Sequence, residues 1–233
     1  MKRFYKDVTV GDAEDGFRIL LDGRPVKTPA KNMLAVPTRA LADAIAAEWQ
    51  GQGEAIDPVS MPFLKLANTV IDGVAANRAA VIEAILRFGE NDLLCYRAHQ
   101  PPELAALQAQ GWDPVLAWAC RKHGAEFVVV EGFTHADQPP ATLAAFRAAL
   151  AKQDSFSLAA LHVIASVAGS VVLALALADG ELVPAQVFAL SRIDEDYQAS
   201  KWGRDHEAEV RATNLARELD KAAEFIVAAK AVN

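Results

Sequence analysis

The chain has 233 residues, of which 52% are hydrophobic and 23% charged, and 30 acidic against 23 basic residues give it a net charge of −7. This composition excludes a disordered polymer, and the length allows one or two domains with a sizeable core. The acidic excess is spread along the chain. It argues against nucleic acid as the main partner, because a phosphate backbone requires a clustered Lys and Arg face. Much of the hydrophobic content is alanine, so we expect helices to dominate.

The N-terminal residues predict a small antiparallel sheet over residues 3–36, in which short β-prone runs are separated by turn signals. Asp22-Gly23 is typical of a two-residue hairpin because this pair tolerates positive φ angles at low cost. Basic residues at the start are followed by further charges rather than by an apolar run, so we do not expect a secretory signal.

A helix is predicted directly after the sheet, over about Arg39 to Gln50. Thr38 fits its N-cap, and Leu41, Ile45 and Trp49 recur at four-residue spacing on one face. The polar segment 51–60 then marks a domain boundary. We therefore predict an α+β fold, with a small β-rich N-terminal domain and one helix over 1–55, and a larger all-helical, orthogonal-bundle domain over 56–233.

The second domain shows helical periodicity throughout. Leu64, Ala67, Val70 and Ile71 form one expected apolar stripe, and a single short strand is predicted over 127–130. We expect helices to begin at Pro62, near Pro102 and at Asp113-Pro114, and to cover 140–152, 157–178, 184–202 and 205–230.

Residues 155–178 contain no charged side chain, which is long enough to suggest a membrane span. Alanine, His162 and several serines dilute this run, so we favour a buried helix, or two short helices that meet at Gly169-Ser170. Cys95 and Cys120 fit no metal or redox motif and are interpreted as small core residues of a protein in a reducing cytoplasm.

An acidic cluster stands out near the C-terminus. Residues 194–209 contain six acids against Lys201 and Arg204, a local net charge of 2 − 6 = −4. The acids are Asp194, Glu195, Asp196, Asp205, Glu207 and Glu209. The cluster could be a solvated helix face, an acidic patch for a basic partner, or a metal site. His206-Glu207 begins like a zinc helix, but the second histidine of that motif is missing.

Aromatic residues lie within this cluster. Tyr197 and Trp202 flank Gln198 and Lys201, and such side chains serve as interface anchors as readily as core residues.

Several motifs in order resemble one family, the ATP synthase assembly chaperones that attend the alpha subunit of the catalytic head. The matching segments are Arg3-Phe4-Tyr5-Lys6, residues 21–29 and 34–38, Glu48-Trp49-Gln50, Ile56-Asp57-Pro58, Met61-Pro62, residues 92–97, Gln108 to Trp112-Asp113-Pro114, Gly169-Ser170, residues 190–198 and Lys201-Trp202-Gly203.

This resemblance implies a chaperone with no enzymatic activity and no cofactor. It implies binding of the unassembled alpha subunit, which is kept soluble until a beta subunit takes its place. The start of the chain at the β-rich domain suggests a bacterial, cytoplasmic member, and we expect a monomer that neither binds nucleic acid nor inserts stably into membranes.

The resemblance also implies site residues. The acidic residue that matters in the family maps onto Glu195, and we group it with Asp194, Tyr197, Gln198 and Trp202 as the partner-binding residues. The family motif residues with a structural role are Trp49, Trp112, Asp113 and Pro114.

Three alternatives stay open at this level. One is a metal-dependent hydrolase that uses the acidic and histidine cluster at 205–209, and another is a generic helical interaction domain with a different client. The third is a peripheral membrane protein anchored by residues 156–178.

Overall fold

A computed structural model describes residues 1–14, 16–132, 134–203 and 205–230. The fold is α+β as predicted, because it is mostly helical with a small antiparallel sheet near the N-terminus. The chain divides into two compact units. The first comprises Met1–Arg78, Asp154–Ala160 and the segment from Lys221 onward, and the second comprises Ala79–Gln153 and Leu161–Asp220. The predicted boundary at residue 55 and the orthogonal packing stay predictions.

The first unit contains the predicted sheet. Asp22 and Gly23 both have positive φ angles, 49° and 77°, and connect two strands as the predicted hairpin turn. The Asp22 carboxylate also accepts hydrogen bonds from the backbone N–H groups of Lys6 and Asp7, at 3.0 and 2.9 Å, and these bonds lower its pKa. The strands are β1 (Val8–Ala13), β2 (Gly16–Leu21), β3 (Arg24–Pro25) and β4 (Ala35–Val36), all antiparallel.

Helix α1 (Arg39–Gln50) confirms the sequence prediction in its cap and in its buried face. The Thr38 hydroxyl accepts a hydrogen bond of 3.1 Å from the Leu41 N–H, and Leu41, Ile45 and Trp49 are all buried. Next to this face, Glu48 accepts hydrogen bonds from the N–H groups of Phe63 and Leu64, at 2.7 and 2.9 Å. Glu48 thus provides acceptors for backbone N–H groups in the first turn of α2 (Pro62–Thr69), which have no partner within the helix. Burial of the Glu48 carboxyl group raises its pKa.

The buried stripe of α2 differs from the prediction by one position. Phe63 and Val74 are buried with Ala67 and Val70, whereas the predicted Leu64 and Ile71 are only half-buried. The four buried positions recur at intervals of four, three and four residues, which is the spacing of one helix face, and the helix continues from α2 into a π-helical turn over Val70–Val74.

In its described residues, the second unit is helical apart from one pair of short strands. Of the lone strand expected over 127–130, only Val130 lies in a strand, β6 (Val130–Glu131), which pairs in parallel with β5 (Tyr96–Arg97), so the unit is not strictly all-helical. The helices after α2 are α3 (Arg78–Glu90), α4 (Pro102–His123), α5 (Pro140–Ala151), α6 (Ser155–Ala168), α7 (Val171–Ala178), α8 (Pro184–Ser191), α9 (Ile193–Trp202) and α10 (His206–Lys230).

The uncharged run forms two helices, α6 and α7, that are separated at Gly169-Ser170 as predicted. The fully buried Asp92 accepts hydrogen bonds from the N–H groups of Leu94 and Val172, both at 3.1 Å, and thereby helps Ser170 to cap α7. Burial raises the pKa of Asp92 to about 6. Within the described residues, none of the helices combines the length and the apolar character that a membrane crossing requires.

Three further sequence predictions are wrong. A helix does not begin at Asp113-Pro114, because α4 continues through Pro114 and ends at Gly124. Burial of Trp112, Val115 and Leu116 on both sides of the proline outweighs the cost of its missing N–H. Cys120 is exposed rather than part of the core, although Cys95 is buried as expected.

The third concerns residues 184–202, which form two helices rather than one. The backbone leaves helical geometry at Arg192, with φ −119° and ψ 14°, and the Arg192 N–H bonds the carbonyl of Ala189 three residues back. The acids that follow favour a new helix N-terminus.

Candidate functional site

Helix α9 holds the predicted partner-binding residues. Its sequence IDEDYQASKW places Asp194, Glu195 and Asp196 in the first turn, where the positive end of the helix dipole favours acids. Gly203, at φ 92°, ends the helix after Trp202. Glu195 and Gln198 are exposed, Asp194 and Tyr197 are half-buried, and the Trp202 side chain is 78% exposed.

Asp194 is tied to α4 rather than free at the surface. The side-chain amide of Gln108 donates a hydrogen bond of 2.6 Å to the Asp194 carboxylate. Gln108 is buried, and its side-chain oxygen Oε1 accepts a hydrogen bond of 2.8 Å from the Ala98 N–H. Gln108 therefore links the end of β5 to the first turn of α9 and fixes the position of that turn.

Trp112 supports the same region from within. Its ring is fully buried, and its indole N–H donates a hydrogen bond of 2.8 Å to the carbonyl of Leu190 at the end of α8. The guanidinium of Arg97 lies 5.2 Å above this ring and pairs with Asp113 at 2.8 Å. Asp113 and Pro114 are themselves exposed. Trp112 therefore contacts the α8–α9 corner, and the structural role of Trp112, Asp113 and Pro114 stays a prediction.

The close approach of α4 to this corner depends on Gly111. A Cβ atom at this position would lie 2.8 Å from the Ile193 side chain and 2.9 Å from that of Leu190, which is closer than carbon atoms pack. The absence of a side chain lets the two helices meet.

Two grooves flank α9. The smaller, of about 320 Å³, lies between α9 and α4 and is lined by Leu107 and Tyr197 among others. The Lys201 ammonium lies 5.2 Å from the centre of the Tyr197 ring and partly covers that residue. Tyr197 thus belongs to a side of the helix that differs from the side of Trp202.

The larger groove lies between α9, α8 and the N-terminal half of α10, and we call it the α9–α10 groove. It has a volume of about 1000 Å³, and Glu195, Gln198 and Trp202 all line it. Its described apolar lining also includes Phe188, Ala199, Ala208, Ala212, Leu215 and Ala216. Glu195 makes no hydrogen bond or ion pair with the described part of the chain, so its charge is available to a partner.

The family model for "ATP12 chaperone protein" matches residues 2–120, slightly more than half of the chain. The chain belongs to the ATP12 chaperone family. The predicted family resemblance is thereby confirmed, and membership makes this protein a chaperone of ATP synthase assembly.

Solved structures support the assignment over nearly the whole length. The crystal structure of Atp12 from Paracoccus denitrificans is 41% identical, covers 98% of both chains and superposes with a TM-score of 0.94. The Atu1473 protein of Agrobacterium tumefaciens is 50% identical over 97% of this chain and 85% of its own, with a TM-score of 0.91. Mitochondrial atp12 of Schizosaccharomyces pombe is 25% identical over 215 residues, which cover 87% of this chain and 74% of its own.

The acids at 205–209 have structural partners within this ATP12-family chain. Asp205 accepts a hydrogen bond of 3.1 Å from the Ala208 N–H and caps α10, and Arg211 lies 4.0 Å from Asp205 and 3.9 Å from Glu207. Arg204 lies outside the described residues. Among the residues that the structure describes, no three His, Cys, Asp or Glu side chains are grouped to hold a metal ion.

Trp49 belongs to the first unit and is 8% exposed. The Tyr5 ring meets it edge-on at 5.4 Å, and the Tyr5 hydroxyl donates a hydrogen bond of 2.7 Å to the Trp49 carbonyl. These contacts are those of a core residue.

The sequence patterns did not indicate the groove residues Phe188, Leu215 and Ala212, or the role of Gln108. A buried glutamine gives no periodic signal, and the groove combines residues that are distant along the chain. The acids and aromatic residues of 194–202 are the part of the groove that the sequence did indicate.

Proposed function

We propose that this chain binds the unassembled alpha subunit of the ATP synthase catalytic head, keeps it soluble and releases it to the beta subunit. The observation that carries this proposal is the match to Atp12 of Paracoccus denitrificans over 98% of both chains at 41% identity. A likeness of this extent preserves the fold and supports a shared role in ATP synthase assembly.

The physical need for such a protein is clear. A ring subunit without its neighbour exposes an apolar interface, and surfaces of this kind aggregate. A chaperone must cover that interface and yet give way to the true neighbour. Its affinity must therefore be lower than that of the final, obligate contact.

We place the client-binding surface on α9. Glu195, Gln198 and Trp202 supply exposed charge, hydrogen-bonding capacity and aromatic area, and Tyr197 adds a second, half-buried ring. A mixed surface of this kind suits reversible binding better than a wholly apolar one, since it stays hydrated when the client leaves. Asp194 acts indirectly, because its bond to Gln108 positions the helix.

The proposed role is binding rather than catalysis. We propose that the protein acts as a monomer in the bacterial cytoplasm, without a cofactor, and that it neither binds nucleic acid nor inserts stably into a membrane. The net charge of −7 agrees with the absence of a nucleic-acid partner.

The test is co-expression of the tagged chain with the cognate alpha subunit alone, followed by affinity capture and size-exclusion chromatography. We expect the alpha subunit to become soluble, to co-elute with the chain, and to leave it when purified beta subunit is added. If the alpha subunit precipitates while the chain stays folded, the client is wrong. An unbiased partner search would then test the alternative of a helical interaction domain with another client.

A further inference from the structure

We propose that the α9–α10 groove is the docking site for one basic, amphipathic segment of the client. An apolar side chain of this segment lies beside Trp202. The Lys or Arg residues that flank it pair with the acids that line the groove. This inference rests on the proposed function and specifies the surface and the chemistry that it uses.

The lining of the groove combines small and large apolar residues. On α10 it includes Ala208, Ala212 and Ala216, whose four-residue spacing places them on one face of the helix. Phe188 on α8 and Trp202 on α9 are the large aromatic residues of the described lining. The volume of about 1000 Å³ is at the upper end of the range for pockets that take up a ligand.

Trp202 is the anchor that the groove offers. At 78% exposure, its indole leaves a large apolar area in water. Tryptophan is enriched among residues that dominate binding energies, because it buries much surface at a small entropic cost. It is the last residue of α9, immediately before Gly203, and both residues line the groove.

Charge determines which segment the groove accepts. The described lining contains four acids, Glu195, Asp196, Asp205 and Glu209, against Arg192 and Arg211, so its net charge is 2 − 4 = −2. Both arginines already have acidic partners: Arg192 lies 3.8 Å from Asp196, and Arg211 lies 4.0 Å from Asp205. The unpaired Glu195 is therefore left to attract a cation, and an acidic or phosphorylated segment would be repelled.

The groove on the other side of α9 is a poorer site. It holds about 320 Å³, roughly a third of the larger volume, and Lys201 lies against its Tyr197 ring. The positive charge of Lys201 beside this ring would repel a basic segment. Leu107, which lines that groove and is 45% exposed, therefore serves as the matched control for Trp202.

The first experiment is a competition assay. A complex of labelled alpha subunit and tagged wild-type chain is challenged with untagged variants, so the client is never free to aggregate. Trp202→Ala should compete about thirtyfold less well, as expected for a central aromatic anchor. Ala212→Phe, which adds a large side chain to the lining, should weaken competition to a similar extent. Leu107→Ala and Val183→Ala, outside this groove, should compete like the wild type.

Charge is tested in the same assay. Glu195→Lys should compete about tenfold less well, and the loss should shrink as salt is raised, because salt screens an exposed ion pair. Glu218→Lys is the control, since Glu218 is exposed on α10 but does not line the groove.

The second experiment identifies the segment. A photo-crosslinking amino acid at position 202 or 212 should label a peptide of the alpha subunit that contains an apolar residue flanked by Lys or Arg, and position 107 should not label it. A labelled peptide without basic residues, or labelling from position 107 alone, would overturn the proposal. So would crosslinks between two copies of the chain alone.

The two proposals fail in different ways. If the tagged wild-type chain captures no alpha subunit, both are wrong. If it captures the subunit and all variants compete equally, the groove is wrong and the proposed function stands.

Discussion

The side-chain amide of Gln108 lies 2.6 Å from the carboxylate of Asp194, and this one contact joins the middle of α4 to the first turn of α9. Gln108 is 1% exposed, whereas Glu195, the next residue after Asp194, is exposed. A partly buried hydrogen bond thus positions the turn that presents the charge to solvent. Positioning of this kind lowers the entropic cost of binding, because the surface is formed before the client arrives.

Gln108→Ala should destabilise the protein by about 2–3 kcal/mol, because it leaves the Ala98 N–H and the Asp194 carboxylate without their shared partner in a buried position. Urea unfolding checks this value. Gln110→Ala is the matched control, since Gln110 is exposed on the same helix and should cost less than about 0.5 kcal/mol. Equal unfolding midpoints for the two variants would contradict a bridging role for Gln108.

Asp92 should make stability depend on pH between about 4 and 6. Burial raises its pKa from 3.8 to about 6, so the folded state holds the proton more tightly than the unfolded state does. The contribution of protonated Asp92 to the free energy of unfolding is complete below about pH 4 and is lost as the pH rises through about 6. In urea unfolding at pH 5, 6 and 7, the wild type should lose more stability over this range than Asp92→Asn, which cannot titrate. Parallel curves for the two proteins would show that another group is responsible.

Trp49 should be essential for folding rather than for binding. Trp49→Ala should cost about 3–5 kcal/mol, because a buried ring in contact with Tyr5 is lost, and Trp49→Arg should yield insoluble protein. Solubility on expression and a thermal melt of the alanine variant measure this. A Trp49→Arg protein that is soluble and melts normally would place Trp49 outside the core.

Trp202→Ala and Glu195→Lys should behave in the opposite way. Both side chains are exposed, so the melting temperatures of the variants should stay within about 2 °C of the wild type while client binding falls. Thermal melts of the same preparations used for binding provide the comparison. A fall of several degrees in either variant would assign that residue a structural role.

Local patterns predicted the elements that depend on local chemistry. The Thr38 cap, the buried face of α1 and the Asp22-Gly23 turn follow from single residues whose preferences the fold respects. Pro114 shows the limit of this approach, since its helix continues where proline normally begins one. Burial of Trp112, two positions before the proline, favours continuation of the helix through Pro114, and this burial is not visible in the local sequence.

The residues of the proposed site could be named from the sequence, but their arrangement could not. Tyr197 and Trp202 are five positions apart, and at about 100° per residue they point to different sides of α9. The sequence grouped them as one patch, whereas they line different grooves. The α10 side of the larger groove, with Ala212 and Leu215, depends on a tertiary contact that no motif encodes.

Light scattering tests the proposed function most directly. Purified alpha subunit is diluted out of a solubilising buffer in the presence of increasing amounts of this chain, and its aggregation is followed. We predict that one equivalent of the wild type suppresses aggregation, that Glu195→Lys requires a clear excess, and that added beta subunit displaces the chain into a free peak. Suppression that is equal for wild type and Glu195→Lys would contradict the proposed binding surface. Aggregation that continues in the presence of excess wild-type chain would contradict the chaperone activity toward the alpha subunit itself.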